Sequence, residues 1–449
     1  MDSREEQQRR KREDRKKRRV RNQILAYLLT TVLVLALAAG IVFGVNSLLA
    51  ARKNTEAEKQ EEQQEKQEMI EEMLSEEEEG LATQEPEPEA VPEASPEPTA
   101  RERLDEIVDA GIEAMPLEDK VAGLFIVTPE AITGVSSAVQ AGEGTQQALA
   151  RNPVGGLVYF AQNIQSEEQL QAMLENTVQY ANYPLFLAVD EEGGSVARVA
   201  SAGIGPVTDS AGDIGAAGDP VNAYNAGASI GSTLAGLGFN VDFAPVADLA
   251  NVEGSIMEGR SYGSDADAVS GFVASMVKGL REQKVAACLK HFPGIGSTSQ
   301  DTHQGMASTD RTEEQFRAEE LTVFQAGIDA GADMVMVGHM SAPGLTGDNE
   351  PCIFSRRLVT EILREEMGFE GVIVTDALNM SAISEYYGAD EAAIMALLAG
   401  CDMLLMPEDY ELAYNGVLEA VGEGSISEER IDDSLRRIYR IKYADRIKP

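Results

Sequence analysis

The sequence predicts an α/β protein whose main part is a (β/α)8 barrel of TIM type, and three observations carry this reading. Eight short apolar runs recur between residues 101 and 449. Segments of helical periodicity fall between them, among them Asp265–Gln283, Thr312–Gly331 and Ser355–Met367. Strands alternating with helices call for a parallel sheet, and eight such units over roughly 345 residues suit a barrel with generous loops. A doubly wound open sheet is the alternative architecture. No Gly-x-Gly-x-x-Gly follows the first run, which argues against a dinucleotide site.

The runs, in order, are Val121–Thr128, Val154–Phe160, Leu185–Asp190, Val241–Val246, Val285–Phe292, Met334–Met340, Gly371–Asp376 and Cys401–Pro407. Each is short, apolar and bounded by polar residues or Gly, as expected of a strand buried on both faces. A helical tail, Ser427–Tyr443, follows the last.

The region before residue 101 has a different texture. Residues 1–22 carry eleven Lys/Arg, from Arg4 to Arg21, against five acidic residues. Residues 24–50 are apolar with no charge, long enough to span a bilayer core of about 30 Å as a helix. The basic flank belongs on the cytoplasmic side. The run exceeds a signal-peptide core of about 7–15 residues, so an uncleaved anchor is expected, with everything after Ala50 outside. Residues 54–100 hold seventeen Glu and only Lys59 and Lys66, with alternating Pro and Glu near their end. That composition favours an extended, self-repelling spacer. The expected organisation is a cytoplasmic tail over 1–22, a transmembrane helix over 23–50, an acidic linker over 51–100 and a barrel over 101–449.

The net charge of −39 makes nucleic acid an unsuitable partner, since phosphate binding needs a basic surface. Cys288, Cys352 and Cys401 are odd in number and scattered, with no paired Cys-x-x-Cys. They form neither a disulfide framework nor a metal site. No obligate protein partner is evident.

Polar residues cluster at the carboxyl ends of the runs. Asp190 ends the third, Asp248 follows the fourth, His291 lies near the end of the fifth, His339 lies in the sixth and Asp376 ends the seventh. In a barrel this edge is the catalytic face. Asp376, set behind the apolar Val-Ile-Val of GVIVTDALNM, suits a fixed, partly desolvated nucleophile. Asp301 and His303 form Asp-x-His on the Gly/Ser-rich stretch PGIGSTSQDTH. A carboxylate two residues away can orient the imidazole and favour its charged form, giving a proton donor near neutral pH. Metal binding is the other reading of Asp-x-His, but no further His or Cys lies nearby. Asp190, Arg198, Arg260, Lys290 and His291 supply charge-assisted donors and acceptors suited to sugar hydroxyls and an acetamido or carboxylate group.

Four segments in order, VDEEGGSVARV (189–199), VDFAPVADL…GRSYG (241–263), KHFPGIGSTSQDTH (290–303) and GVIVTDALNM (371–380), resemble glycoside hydrolase family 3. The closest likeness is to its single-domain β-N-acetylglucosaminidase branch. The resemblance implies Asp376 as nucleophile, His303 as general acid/base with Asp301 as its partner, and Asp190, Arg198, Arg260, Lys290 and His291 as sugar-binding groups. It implies the barrel fold and no metal or organic cofactor. Ile295 and Ser297 depart from the family's PGHGDT, where a His and an Asp stand.

The implied reaction is a retaining double displacement releasing terminal β-linked N-acetylglucosamine, with peptidoglycan fragments outside the cell as the expected source. A glycoside phosphorylase, a β-glucosidase and an inactive muropeptide-binding protein are the alternatives on this scaffold.

Overall fold

The computed structural model describes residues 99–300 and 305–444. The predicted tail, membrane helix and all but the last two residues of the linker lie outside them, as do Asp301 and His303. Among the described residues, no helix is long and apolar enough to cross a membrane.

Every predicted run contains a strand. The strands are β1 (Phe125–Val127), β2 (Gly156–Val158), β3 (Phe186–Val189), a small hairpin of β4 (Glu191–Gly193) and β5 (Val196–Ala197), then β6 (Val241–Asp242), β7 (Ala286–Phe292), β8 (Met334–Val337), β9 (Val372–Thr375) and β10 (Leu404–Leu405). Without the hairpin these make one eight-stranded sheet in the order β10-β1-β2-β3-β6-β7-β8-β9, with every pairing parallel. A parallel bridge between Val374 and Met403 joins the two ends, with Met403 N donating to Ile373 O at 3.1 Å and Thr375 N to Met403 O at 3.0 Å. That junction makes a barrel and excludes the open doubly wound sheet. The barrel strands are buried throughout, because interior side chains face one way and the surrounding helices cover the other.

Helix boundaries follow local chemistry. Asp265 caps the helix Ala266–Glu282 by accepting from Ala268 N at 2.8 Å. Ser427 caps Glu428–Tyr443 by accepting from Arg430 N at 3.2 Å. Two expectations need correction. Val121 and Ala122 finish the helix Leu117–Ala122, and the first strand starts only at Phe125. A short apolar run does not by itself separate the last turn of a buried helix from a strand. The stretch expected as one helix over Thr312–Gly331 is two, Glu313–Ala318 and Glu320–Asp329, broken at Glu319 (φ −124°, ψ −80°). The break turns Glu320 inward, where Asn251 Nδ2 meets its carboxylate at 2.9 Å and Arg311 Nε at 3.0 Å.

The amino ends of the strands form the structural face. Asp402, fully buried just before β10, accepts from Ile373 N (2.9 Å), Ser434 Oγ (2.8 Å) and Arg364 Nη2 (2.6 Å). Lys442 donates to Gly155 O at 2.8 Å. Its ammonium stands 4.8 Å from the Phe186 ring centre and 4.9 Å from that of Tyr439, within cation–π range. Anchoring at this end leaves the carboxyl ends free for chemistry.

Candidate active site

Asp376 is the first residue after β9, so its position is set by the barrel itself. Its backbone N–H donates to Val337 O at 2.9 Å, and its Oδ1 accepts from Ala377 N at 2.8 Å. Burial would raise its pKa, but His339, His291, the Ala377 N–H and Lys290 together hold it below the usual carboxylate value. A carboxylate kept ionised in a desolvated place is what nucleophilic attack needs. His339, fully buried two residues after β8, donates from Nε2 to Ala377 O at 2.8 Å. It thereby ties the end of β8 to the turn that carries Asp376.

The segment DEEGGSVAR continues from β3 as the β4–β5 hairpin and then the short helix Arg198–Ser201. Gly193 and Gly194 make its turn at φ +92° and +57°. A Cβ on either would come within 2.6 Å of Thr208 Oγ1 or Ser210 Cβ, so both backbone shape and space require glycine. Glu191 folds back to accept from Val199 N (2.7 Å) and Ala200 N (3.0 Å). Beneath it, the fully buried Asp242 at the end of β6 accepts from Glu191 N at 2.9 Å. Burial, only partly offset by that N–H, raises the Asp242 pKa well above its ordinary value.

This hairpin brings Asp190 and Glu192 onto Lys290. The Lys290 ammonium lies 2.5 Å from Asp190 Oδ1 and 2.7 Å from Glu192 Oε1. Glu192 also receives Arg260 in a two-point contact, Nη2 to Oε1 at 2.6 Å and Nε to Oε2 at 2.9 Å. Burial works against the Glu192 charge, but Lys290 and Arg260 outweigh it and bring its pKa down to about 2. The same carboxylates raise Lys290 and Arg260 against their own burial. Arg198 Nε is buried with no hydrogen-bond partner among the described residues.

On β7 the pairing with β8 slips between Leu289 and Phe292, and Lys290 and His291 sit in this irregularity. Bulges of this kind re-aim side chains beside active sites. His291 Nδ1 lies 2.8 Å from Oδ2 of the fully buried Asp248. Asp248 also accepts from His291 N (3.1 and 3.2 Å) and Ile295 N (2.8 Å).

Five of the eight sequence-derived site residues are thereby linked by contact or field. Asp190, Arg260 and Lys290 form one ion-pair network through Glu192, while His291 and Lys290 both act on Asp376. Arg198 is placed at the same strand end by its hairpin. Asp301 and His303 lie outside the described residues. The loop leading to them is held by Ser255 Oγ to Gly296 O (2.9 Å) and Thr309 Oγ1 to Ser297 O (3.4 Å), with Ile295 buried. These contacts use backbone carbonyls and so do not depend on the side chains at 295 and 297. No group of three or more His, Cys, Asp or Glu suited to a metal occurs among the described residues.

Sequence reasoning missed Glu192, Asp242 and the linking role of His339, and it named Asp248 without a role. Glu192 carried a readable signal: in an extended segment, residues two apart share a face, so Glu192 follows Asp190 toward Lys290.

The profile of the glycosyl hydrolase family 3 N terminal domain matches residues 116–441. A β-hexosaminidase of Stenotrophomonas maltophilia strain K279a is 35% identical over 279 residues, covering 60% of this chain and 81% of that protein. β-Hexosaminidase A of Pseudoalteromonas piscicida is 30% identical over 332 residues, covering 66% of this chain; the match spans only 54% of that longer protein. Among solved structures, the family 3 β-N-acetylglucosaminidase of Paenibacillus sp. FPU-7 superposes with a TM-score of 0.70 at 35% identity, covering 74% of this chain and 63% of that one. With the strand-end carboxylates, the barrel and these matches in agreement, the chain belongs to glycoside hydrolase family 3.

Proposed function

We propose that the protein is a retaining β-N-acetylhexosaminidase that removes terminal β-linked N-acetylglucosamine. The observation that carries this reading is Asp376: a strand-end carboxylate held ionised by His339, His291 and Lys290 despite its burial. In the proposed reaction Asp376 attacks the anomeric carbon while the leaving oxygen takes a proton from His303, with Asp301 as the partner of that imidazole. Water, deprotonated by His303, then releases the sugar from Asp376. Asp190, Lys290 and Arg260 present fixed charges to the sugar hydroxyls, and the buried, unpartnered Nε of Arg198 offers a donor to the bound ligand. The reaction needs no metal or organic cofactor. The named β-hexosaminidase relatives and the Paenibacillus enzyme support the choice of sugar.

Residues 24–50 act as a single membrane span in this reading, with residues 1–22 cytoplasmic and the barrel held outside on the acidic linker. The substrate is then an N-acetylglucosamine-bearing glycan or muropeptide released from the cell wall. The test is product formation by the full-length protein on chromogenic β-N-acetylglucosaminide and β-glucoside, with and without phosphate. Release of free N-acetylglucosamine that is lost in Asp376→Ala supports the proposal. Preference for the glucoside, a sugar phosphate product, or undiminished turnover by Asp376→Ala overturns it.

A further inference from the structure

Asp248 makes no ion pair with Glu192's partners Lys290 and Arg260, yet it is fully buried against His291, one of the residues assigned to sugar binding by resemblance. Its Oδ2 takes His291 Nδ1 at 2.8 Å, and its Oδ1 takes Ile295 N at 2.8 Å, with His291 N between the two oxygens. Arg260 also feels its charge. A carboxylate only accepts, so the imidazole atom facing it must carry a proton. Nε2 has no partner among the described residues. Among the described residues, Asp248 after β6 contacts the ring, Asp376 after β9 feels its field, and Lys290 is its neighbour on β7.

We propose that Asp248 is a positioning residue for the reaction: it fixes His291 with a proton on Nδ1 and leaves Nε2 to meet the sugar beside Asp376. The proposal rests on the glycosidase reading, because that reading places the sugar next to His291. The neutral ring then offers Nε2 as an acceptor. When the ring is protonated, Nε2 becomes a donor and Asp248 balances the charge. Through Ile295 N the same carboxylate ties the ring to the first turn of the loop after β7. A one-residue shift of that loop against His291 would cost it a buried hydrogen bond.

Asp248→Asn separates this role from simple packing. The amide oxygen can keep the two backbone donors, while its NH2 faces Nδ1 and forces the ring proton to Nε2. The chain has three histidines, so 15N-histidine labelling of the full-length protein, assigned by single His→Gln variants, reads each ring directly. The expected result is a proton on Nδ1 of His291 in the wild type, whether or not Nε2 also carries one, and an Nε2–H tautomer in Asp248→Asn. kcat/KM on a β-N-acetylglucosaminide should fall about 10- to 100-fold, the scale of one charge-assisted hydrogen bond, with a displaced pH profile. An Nε2–H tautomer in the wild type overturns the proposal, and this spectrum decides the matter even if Asp248→Asn does not fold. Wild-type turnover and an unchanged His291 tautomer in Asp248→Asn overturn it as well. Failure of the wild type to cleave any β-glycoside would overturn the glycosidase reading, and the reaction role with it. An active wild type beside an unaltered variant sinks the Asp248 proposal alone.

Discussion

Glu192→Gln is the sharpest test of the ion-pair network that joins Asp190, Lys290 and Arg260. The carboxylate is 6% exposed and sits between Lys290 and Arg260. Its burial is outweighed by those two cations, which bring its pKa from the usual 4.5 to about 2. At about 1.4 kcal/mol per tenfold change in a proton equilibrium, this corresponds to about 3 kcal/mol of preference for the charged form. The figure agrees with the roughly 3–5 kcal/mol typical of breaking a buried pair from one side. Substitution by Gln keeps the size and one acceptor but leaves the buried Lys290 with Asp190 alone and the half-buried Arg260 without its ion pair. The variant should lose about 3 kcal/mol of unfolding free energy at pH 7 in urea titrations. Because the folded pKa is depressed, the wild-type advantage is fully present above 4.5 and is lost as the pH falls through about 2. The gap between the two proteins should therefore close across that window. Lys290 and Arg260 would also lose their fixed orientation, so kcat/KM should drop about 10- to 100-fold. A gap below about 0.5 kcal/mol at pH 7, within the range of an ordinary surface substitution, or a gap constant down to pH 2, would refute the reasoning.

His303→Ala should slow a glycoside with a basic leaving group by about 10²–10⁴-fold and largely spare the first step on an activated aryl glycoside; leaving-group rate ratios check this, and equal losses on both would remove His303 as the acid. Asp242→Asn should gain stability relative to the wild type as the pH rises above 4, because the raised pKa of Asp242 gives a contribution that is complete below 3.8 and fades as the pH climbs through the folded value. Denaturation at pH 4 and pH 7 reads the change. A soluble fragment beginning at Thr99 should fold and act without the first 98 residues. A fragment beginning at Arg101 should be about 1 kcal/mol weaker, since Thr99 accepts from Glu102 N at 3.2 Å and donates its own N–H to Glu102 Oε2 at 2.6 Å. Comparison of their urea midpoints decides.

The barrel was legible because burial on both faces leaves apolar runs that a window of six or seven residues detects. Strand ends were legible for the same reason: the first polar residue after such a run, Asp190 or Asp376, marks where the barrel opens. The limits lay where one residue type serves two structures. Val121 and Ala122 read equally well as strand or buried helix, and only the Pro116–Asp119 turn decided. The break at Glu319 was not read from the periodicity, and the contact that goes with it, Asn251 to Glu320, spans 69 residues. Asp248 and Asp242 were silent in the same way. Their roles depend on partners 43 and 51 residues distant, His291 and Glu191, and pairing across strands is not written in local spacing.

Neighbours sort the carboxyl groups at this end of the barrel into two classes. Asp376 and Asp242 are each the polar end of a buried strand, and desolvation pushes both toward the neutral form. Asp376 meets His339, His291, Lys290 and an N–H, and these reverse the push. Asp242 meets one N–H and the field of Lys290, opposed by Glu191 and Asp190, and the push prevails. The first is the nucleophile of the proposed reaction; the second is pushed toward its protonated form and is fully buried, away from any departing oxygen. A raised pKa alone therefore does not make Asp242 the acid, because its burial denies it contact with substrate. In the proposed reaction the leaving group takes its proton instead from His303, two residues after Asp301 on the sequence that follows β7.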